Sequence, residues 1–172
     1  IKLNISTNTS NPISEIAEVG GSKYTWPQFV PDQNKLVVSR GSRGTYADSG
    51  IDVIDLDTGT VTQLINLGFK GRYIASGHMI FARGNSLWAQ PVSSDLQRTS
   101  GEAIPVIFDA EIYEPFGNVG FSVSENGRLI YVNGSLSGQD NVNTNVTFVS
   151  QTGQTTTTDV ELGNYAWAQF SP

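Results

Sequence analysis

Apolar residues come in short runs, and each run is closed by turn-forming residues. "KLVVSR" (35–40) follows "PDQN". "IDVIDL" (51–56) meets Asp57-Thr58-Gly59, and "TVTQLI" (60–65) leaves it. An Asp-x-Gly between two such runs predicts a hairpin, because glycine takes a positive φ without a Cβ clash. The pattern recurs. "HMIFARG" (78–84) and "SLWAQPV" (86–92) flank Gly84-Asn85. "FSVSENGRLIYVNG" (121–134) holds Asn126-Gly127 between two runs. "NVTFVSQTGQTTTTDVEL" (145–162) turns at Thr152-Gly153. Windows of a dozen strong helix formers are scarce, whereas Gly, Ser, Thr and Asn abound. The chain reads as all-β.

The strand phrases are also periodic. "FVPDQNKLVV" starts at Phe29, "YIASGHMIF" at Tyr73, "FSVSENGRLIY" at Phe121 and "FSP" at Phe170, so successive separations are 44, 48 and 49 residues. About four strands per ~40–50 residues is the signature of propeller blades. A blade cannot bury both faces alone, and stacking blades around an axis does so. A β-sandwich also uses short strands with regular turns, but it does not require one phrase at a fixed period.

The copies resemble a known family. "YTWPQFVPDQNKLVV" (24–38) is similar to the "hxxPxFSPDGxxLxF" repeat of TolB-like, WD-repeat-like bacterial β-propellers. "RYIASGHMIFARGNSLWAQPVSSDLQRTSGEAIPV" (72–106) resembles the "GHLLYARxGxLxAxPFDxxxLxLTGxPVPV" phrase. That phrase belongs to TolB-like propellers attached to bacterial Ser/Thr kinases and membrane-bound winged-helix regulators. "FSVSENGRLIYVNG" resembles the blade that follows it. One departure is Pro31-Asp32-Gln33-Asn34 where Pro-Asp-Gly is usual. Asn tolerates left-handed backbone nearly as Gly does, so the turn is expected to survive.

The expected architecture is a partial propeller of four-stranded antiparallel blades. It has a half-blade over 1–16, blades over 24–66, 72–107 and 117–162, and the first strand of a further blade over 165–172. Rings usually close at ~4–8 blades. The expectation is therefore a piece of a longer chain, or a homodimer in which the broken blades complete each other.

Composition narrows the partners. The net charge of −6, without a Lys/Arg cluster, argues against nucleic acid and anionic membrane surfaces. No run approaches the ~18–20 apolar residues of a membrane span, so membrane insertion of this segment is not expected. No basic, apolar leader opens the sequence. The absence of cysteine excludes disulfides and thiolate metal sites.

Candidate chemistry is thin. His78 is the single histidine, so a multi-histidine metal site is excluded, and it reads as a turn residue bonded to backbone. Asp52, Asp55 and Asp57 suggest a carboxylate pair or a calcium loop. Strand alternation, however, sets Asp52 opposite the other two, and the calcium-loop spacing is missing. They read as solvent-facing acids and a turn acid. Ser122 and Ser124 lack a nucleophile elbow. "GSRGTY" (41–46) lacks Walker spacing and reads as a loop. Arg40, Arg43 and Tyr46 in and beside it are the candidate ligand-binding residues. Trp26 and Trp167 occupy matching places and read as fillers between blades, with an aromatic sugar platform as the alternative.

No catalytic set, metal site or cofactor is expected. The expected function is a non-catalytic scaffold or sensor module binding a protein, a peptide or a small ligand. The alternative is the propeller portion of a larger hydrolase, either a prolyl-oligopeptidase-type peptidase or a glycan-degrading enzyme. The resemblance implies a periplasmic or cell-surface location, with a cytoplasmic one left open.

Overall fold

A computed structural model of the chain describes residues 2–4, 9–11, 23–42, 45–108, 110, 112–113, 118–124, 127–133, 145–150 and 152–161. The fold is all-β, a partial propeller of four-stranded antiparallel blades. The first sheet runs in order β3 (Lys23–Val30), β4 (Lys35–Ser42), β5 (Thr45–Asp55) and β6 (Val61–Ile65). The second consists of β7 (Phe69–Ile74), β8 (His78–Arg83), β9 (Ser86–Pro91) and β10 (Ile104–Phe108). The third contains β13 (Phe121–Val123), β14 (Leu129–Asn133), β15 (Asn145–Val149) and β16 (Thr155–Thr157). Two short ladders accompany them. One pairs β1 (Lys2–Asn4) with β2 (Thr9–Asn11), and the other pairs β11 (Ile112–Tyr113) with β12 (Asn118–Val119). The proposed strand at 165–172 and Trp167 lie outside the described residues.

The turns follow from their residues. Gly59 takes φ +73°, and Asp55 caps the same turn by accepting hydrogen bonds from the main-chain N–H groups of Asp57 and Thr58 at 3.0 and 2.9 Å. Asn34, in the glycine's usual place, takes φ +48°, and its side-chain amide bonds Asp57. The Asn thus keeps the turn and ties it to the next hairpin.

Blade stacking supplies the core. β8 reads as a continuous apolar run because both of its faces are covered. Met79 and Phe81 pack with Val37, Ile51 and Val53 of the first sheet. Ile80 and Ala82 pack with Phe121, Leu129 and Tyr131 of the third. β5 shows the same double burial, with Ile51, Asp52, Val53 and Ile54 all buried.

The first strands of successive sheets converge. The side-chain amide of Gln28 in β3 donates to the Tyr73 carbonyl at 2.9 Å and accepts from the Tyr73 N–H at 2.7 Å. Gln28 therefore acts as a strand partner for β7. The guanidinium of Arg72 donates to the carbonyl of Trp26 at 3.0 Å. Both β3 and β7 are interrupted by a bulge, between Thr25 and Gln28 and between Phe69 and Arg72.

Candidate functional site

A cleft of about 670 Å³ opens between the second and third sheets. It lies where the stacking of those blades stops being tight. Ile80, Ala89, Ile107 and Leu129 belong both to the interblade core and to its wall. Ile74, Val106 and Val149 extend that apolar lining, and Ser76, His78 and Ser150 are its hydrogen-bonding side chains. Its size falls in the ~300–1,000 Å³ range of small-ligand sites, and so does its make-up of apolar walls with few polar groups.

The hairpin between β7 and β8 positions the histidine. Gly77 turns the chain with φ +78°, and its N–H donates to the Ile74 carbonyl at 3.0 Å. His78 Nδ1 lies 3.0 Å from the Ser76 carbonyl oxygen. The Ser76 hydroxyl oxygen lies 3.2 Å from the same nitrogen, so Nδ1 is engaged within its own turn. The sequence reading of His78 as a backbone-bonded turn residue agrees with this geometry. Sequence reasoning did not find the cleft, because its wall joins Ile74, Ser76, His78 and Ile80 to Leu129, Val149 and Ser150 and depends on how two blades sit together.

The remaining charged groups serve other ends. Lys70, in the β7 bulge, is buried. Its Nζ donates to the Val119 carbonyl oxygen and lies 4.8 Å from the Trp26 ring centroid and 5.3 Å from that of Phe121. Burial, and secondarily the charge of Arg72, lowers its pKa to about 8.

Of the three residues singled out around 41–46, Arg40 lies in β4. Its Nε donates to the Asp52 carboxylate at 2.9 Å, and the Tyr24 hydroxyl approaches the same oxygen at 3.4 Å. Tyr46 packs on Phe69, ring centroids 5.4 Å apart. Arg40 shares a face with Asp52, turned away from the second sheet, whereas Tyr46 is turned toward it. The structure therefore does not bring these two side chains together. Arg43 lies outside the described residues.

Asp52 departs from the sequence reading of a solvent-facing acid: it is only 2% exposed. The strand alternation was right, but both faces of β5 are covered, so the face opposite Asp55 is also interior. Burial raises the Asp52 pKa, and Arg40 opposes that shift. Asp55 is only partly exposed, and hydrogen bonds from Thr58 lower its pKa. Among the described residues, no three His, Asp or Glu side chains are grouped to hold a metal ion.

No protein-family model and no curated protein matches the chain. Solved structures do. The chain is similar to regucalcin, a calcium-binding protein from Agrobacterium tumefaciens str. C58, with a TM-score of 0.52 at 13% identity, over 79% of this chain and 44% of that one. It is also similar to the tricorn protease, with a TM-score of 0.52 at 13% identity, over 81% of this chain and 13% of that one. At such identity the likeness carries the propeller fold and nothing of activity. The chain spans less than half the length of either structure. No helix among the described residues is long and apolar enough to cross a membrane.

Proposed function

We propose that this propeller segment is a non-catalytic binding module and that the cleft between its second and third blades is the binding surface. One observation carries the reading. A roughly 670 Å³ opening with apolar walls borders the interblade core, and Ser76, His78 and Ser150 are its polar side chains. Apolar area removed from water supplies about 25 cal/mol per Å², and a concave site buries most of a small ligand.

The charged groups fit this reading. Arg40 is committed to Asp52, Arg72 to two main-chain carbonyls, and Lys70 to a third carbonyl. The repeat resemblance supports a TolB-like scaffold or sensor outside the cytoplasm. The alternative of a hydrolase portion would draw its catalytic groups from residues beyond this chain.

The test has two parts. Titration with an apolar fluorescent dye, anilinonaphthalene sulfonate, should give one saturable site that Ala75→Trp abolishes, since Ala75 is exposed at the cleft wall. Incubation with peptide and glycan substrates should give no turnover above buffer. Reproducible hydrolysis by the pure protein would overturn the non-catalytic reading.

A further inference from the structure

The cleft changes character with depth. Ile80, Ala89, Ile107 and Leu129 form its floor, each only 6 to 8% exposed. Ser76, His78 and Ser150 stand at its rim, the two serines exposed and the imidazole half-buried. The strand order produces this polarity. In a four-stranded antiparallel sheet the first and third turns lie at one end. Ser76 belongs to the first turn of the second sheet, and His78 opens the strand that follows. Ser150 belongs to the third turn of the third sheet. The strands therefore supply an apolar floor, and the turns supply polar groups at one end of it.

Charge decides what can enter. Among the described residues, no Asp, Glu, Lys or Arg lines the cleft. A charged group carried to the floor would lose its hydration with nothing of opposite sign in return. The rim hydroxyls already bond within their own turns. Ser150 Oγ accepts from the Gln154 N–H at 3.1 Å, and Ser76 Oγ lies 3.2 Å from His78 Nδ1. A hydroxyl has one donor and two acceptor positions, so each keeps room for one more partner.

We propose that the cleft takes an uncharged amphiphile, its apolar chain on the floor and its hydroxyl end among Ser76, His78 and Ser150. The proposal rests on the cleft being a binding surface and names the chemical class of its ligand. Affinity then comes from apolar area removed from water, and the rim sets the direction in which the chain lies.

The probes are 1-octanol, octanoate and octylammonium, with 1-butanol and 1-hexanol as shorter alcohols, each titrated calorimetrically into the whole chain at neutral pH. Octanol should saturate one site and bind about tenfold or more tightly than either ion. From butanol to octanol, each added methylene should tighten binding about three- to fourfold. Ala75→Asp places a carboxylate on the exposed turn at the rim, and should weaken octanol while admitting octylammonium. Val106→Asp, at a wall position 40% exposed, serves if the first variant is unstable.

Either ion binding the natural chain as tightly as octanol would overturn the uncharged class. Affinities that ignore chain length would overturn the seating of the chain on the floor. Failure of every octyl probe in a protein that still takes up anilinonaphthalene sulfonate also overturns the proposal, although the binding-module reading would then survive. Failure of dye and octyl probes alike would remove the two readings together.

Discussion

Trp26 and Lys70, 44 residues apart in sequence, occupy the same place in two successive blades. Each sits in the bulge of its sheet's first strand, each takes a left-handed φ (+55° and +50°), and the Lys70 ammonium lies over the Trp26 ring. Non-glycine residues rarely hold such backbone angles unless their surroundings fix them. Here Arg72 bonds the Trp26 carbonyl, Ser39 Oγ accepts from the Lys70 N–H at 2.7 Å, and Lys70 reaches on to Val119. The bulges thus tie three blades together where their first strands meet.

Lys70 should make stability rise with pH. Its pKa is about 8 in the folded chain against the ordinary 10.5. Between those values the unfolded chain binds the extra proton, so folding gains as pH increases and the gain is lost as pH falls toward 8. The slope is at most ~1.4 kcal/mol per pH unit. Burial raises the pKa of Tyr24 and Tyr131, which reverses the trend above about pH 10. Urea unfolding at pH 7.5 to 9.5 should show the rise in the natural chain and a flat profile in Lys70→Met.

Gln28→Leu should cost ~1–3 kcal/mol, because it removes both bonds to the Tyr73 main chain and leaves those groups between two blades. Gln28→Glu keeps an acceptor for the Tyr73 N–H but loses the donor, and should cost less at low pH than at neutral pH. Chemical denaturation of the two variants checks the order. A loss under ~0.5 kcal/mol for the leucine variant would mean that the clip contributes little.

The Arg40–Asp52 pair should respond unequally to its two halves. The Asp52 side chain is 3% exposed and that of Arg40 is 20%. Arg40→Met strands a carboxylate in the interior and should cost ~3 kcal/mol. Asp52→Asn leaves a guanidinium that water can reach and should cost ~1 kcal/mol. The raised pKa of Asp52 means the folded chain holds its proton longer than the unfolded one. Its contribution is therefore largest below pH 3.8 and falls as pH rises through the folded value. Without Arg40 that fall should steepen, which stability measured from pH 3 to 7 will show.

Two glycines separate backbone strain from crowding. A Cβ at Gly59 (φ +73°) would meet nothing within 4 Å, so Gly59→Ala should cost ~1 kcal/mol from conformation alone. A Cβ at Gly68 (φ +147°) would lie 2.4 Å from the Phe81 ring, so Gly68→Ala adds overpacking and should cost ~2–4 kcal/mol. Thermal melts of the two variants should differ clearly, and equal melts would contradict the packing at Phe81.

Much of the fold was legible in the chain. Turn residues such as Asn34 and Gly59 announce their backbone angles, and the repeat of Phe29 at Tyr73 and Phe121 marks three stacked sheets. What the sequence withheld depends on pairs of blades. Alternation separated Asp52 from Asp55 but could not say that both faces of β5 are interior. The left-handed angles at Trp26 and Lys70 carry no local signal beyond their 44-residue spacing. The cleft is walled by Ile74, His78 and Ile80 of the second blade and by Leu129 and Val149 of the third, and no single stretch encodes that juxtaposition.

The measurement that tests the central claim most directly is a methyl NMR titration of the whole chain with anilinonaphthalene sulfonate. Saturable shifts should gather at Ile74, Ile80, Val106, Ile107, Leu129 and Val149, the walls of the cleft, with Val38 and Ile54 on the far blade unmoved. Saturable shifts elsewhere, or none at the cleft, would contradict the account.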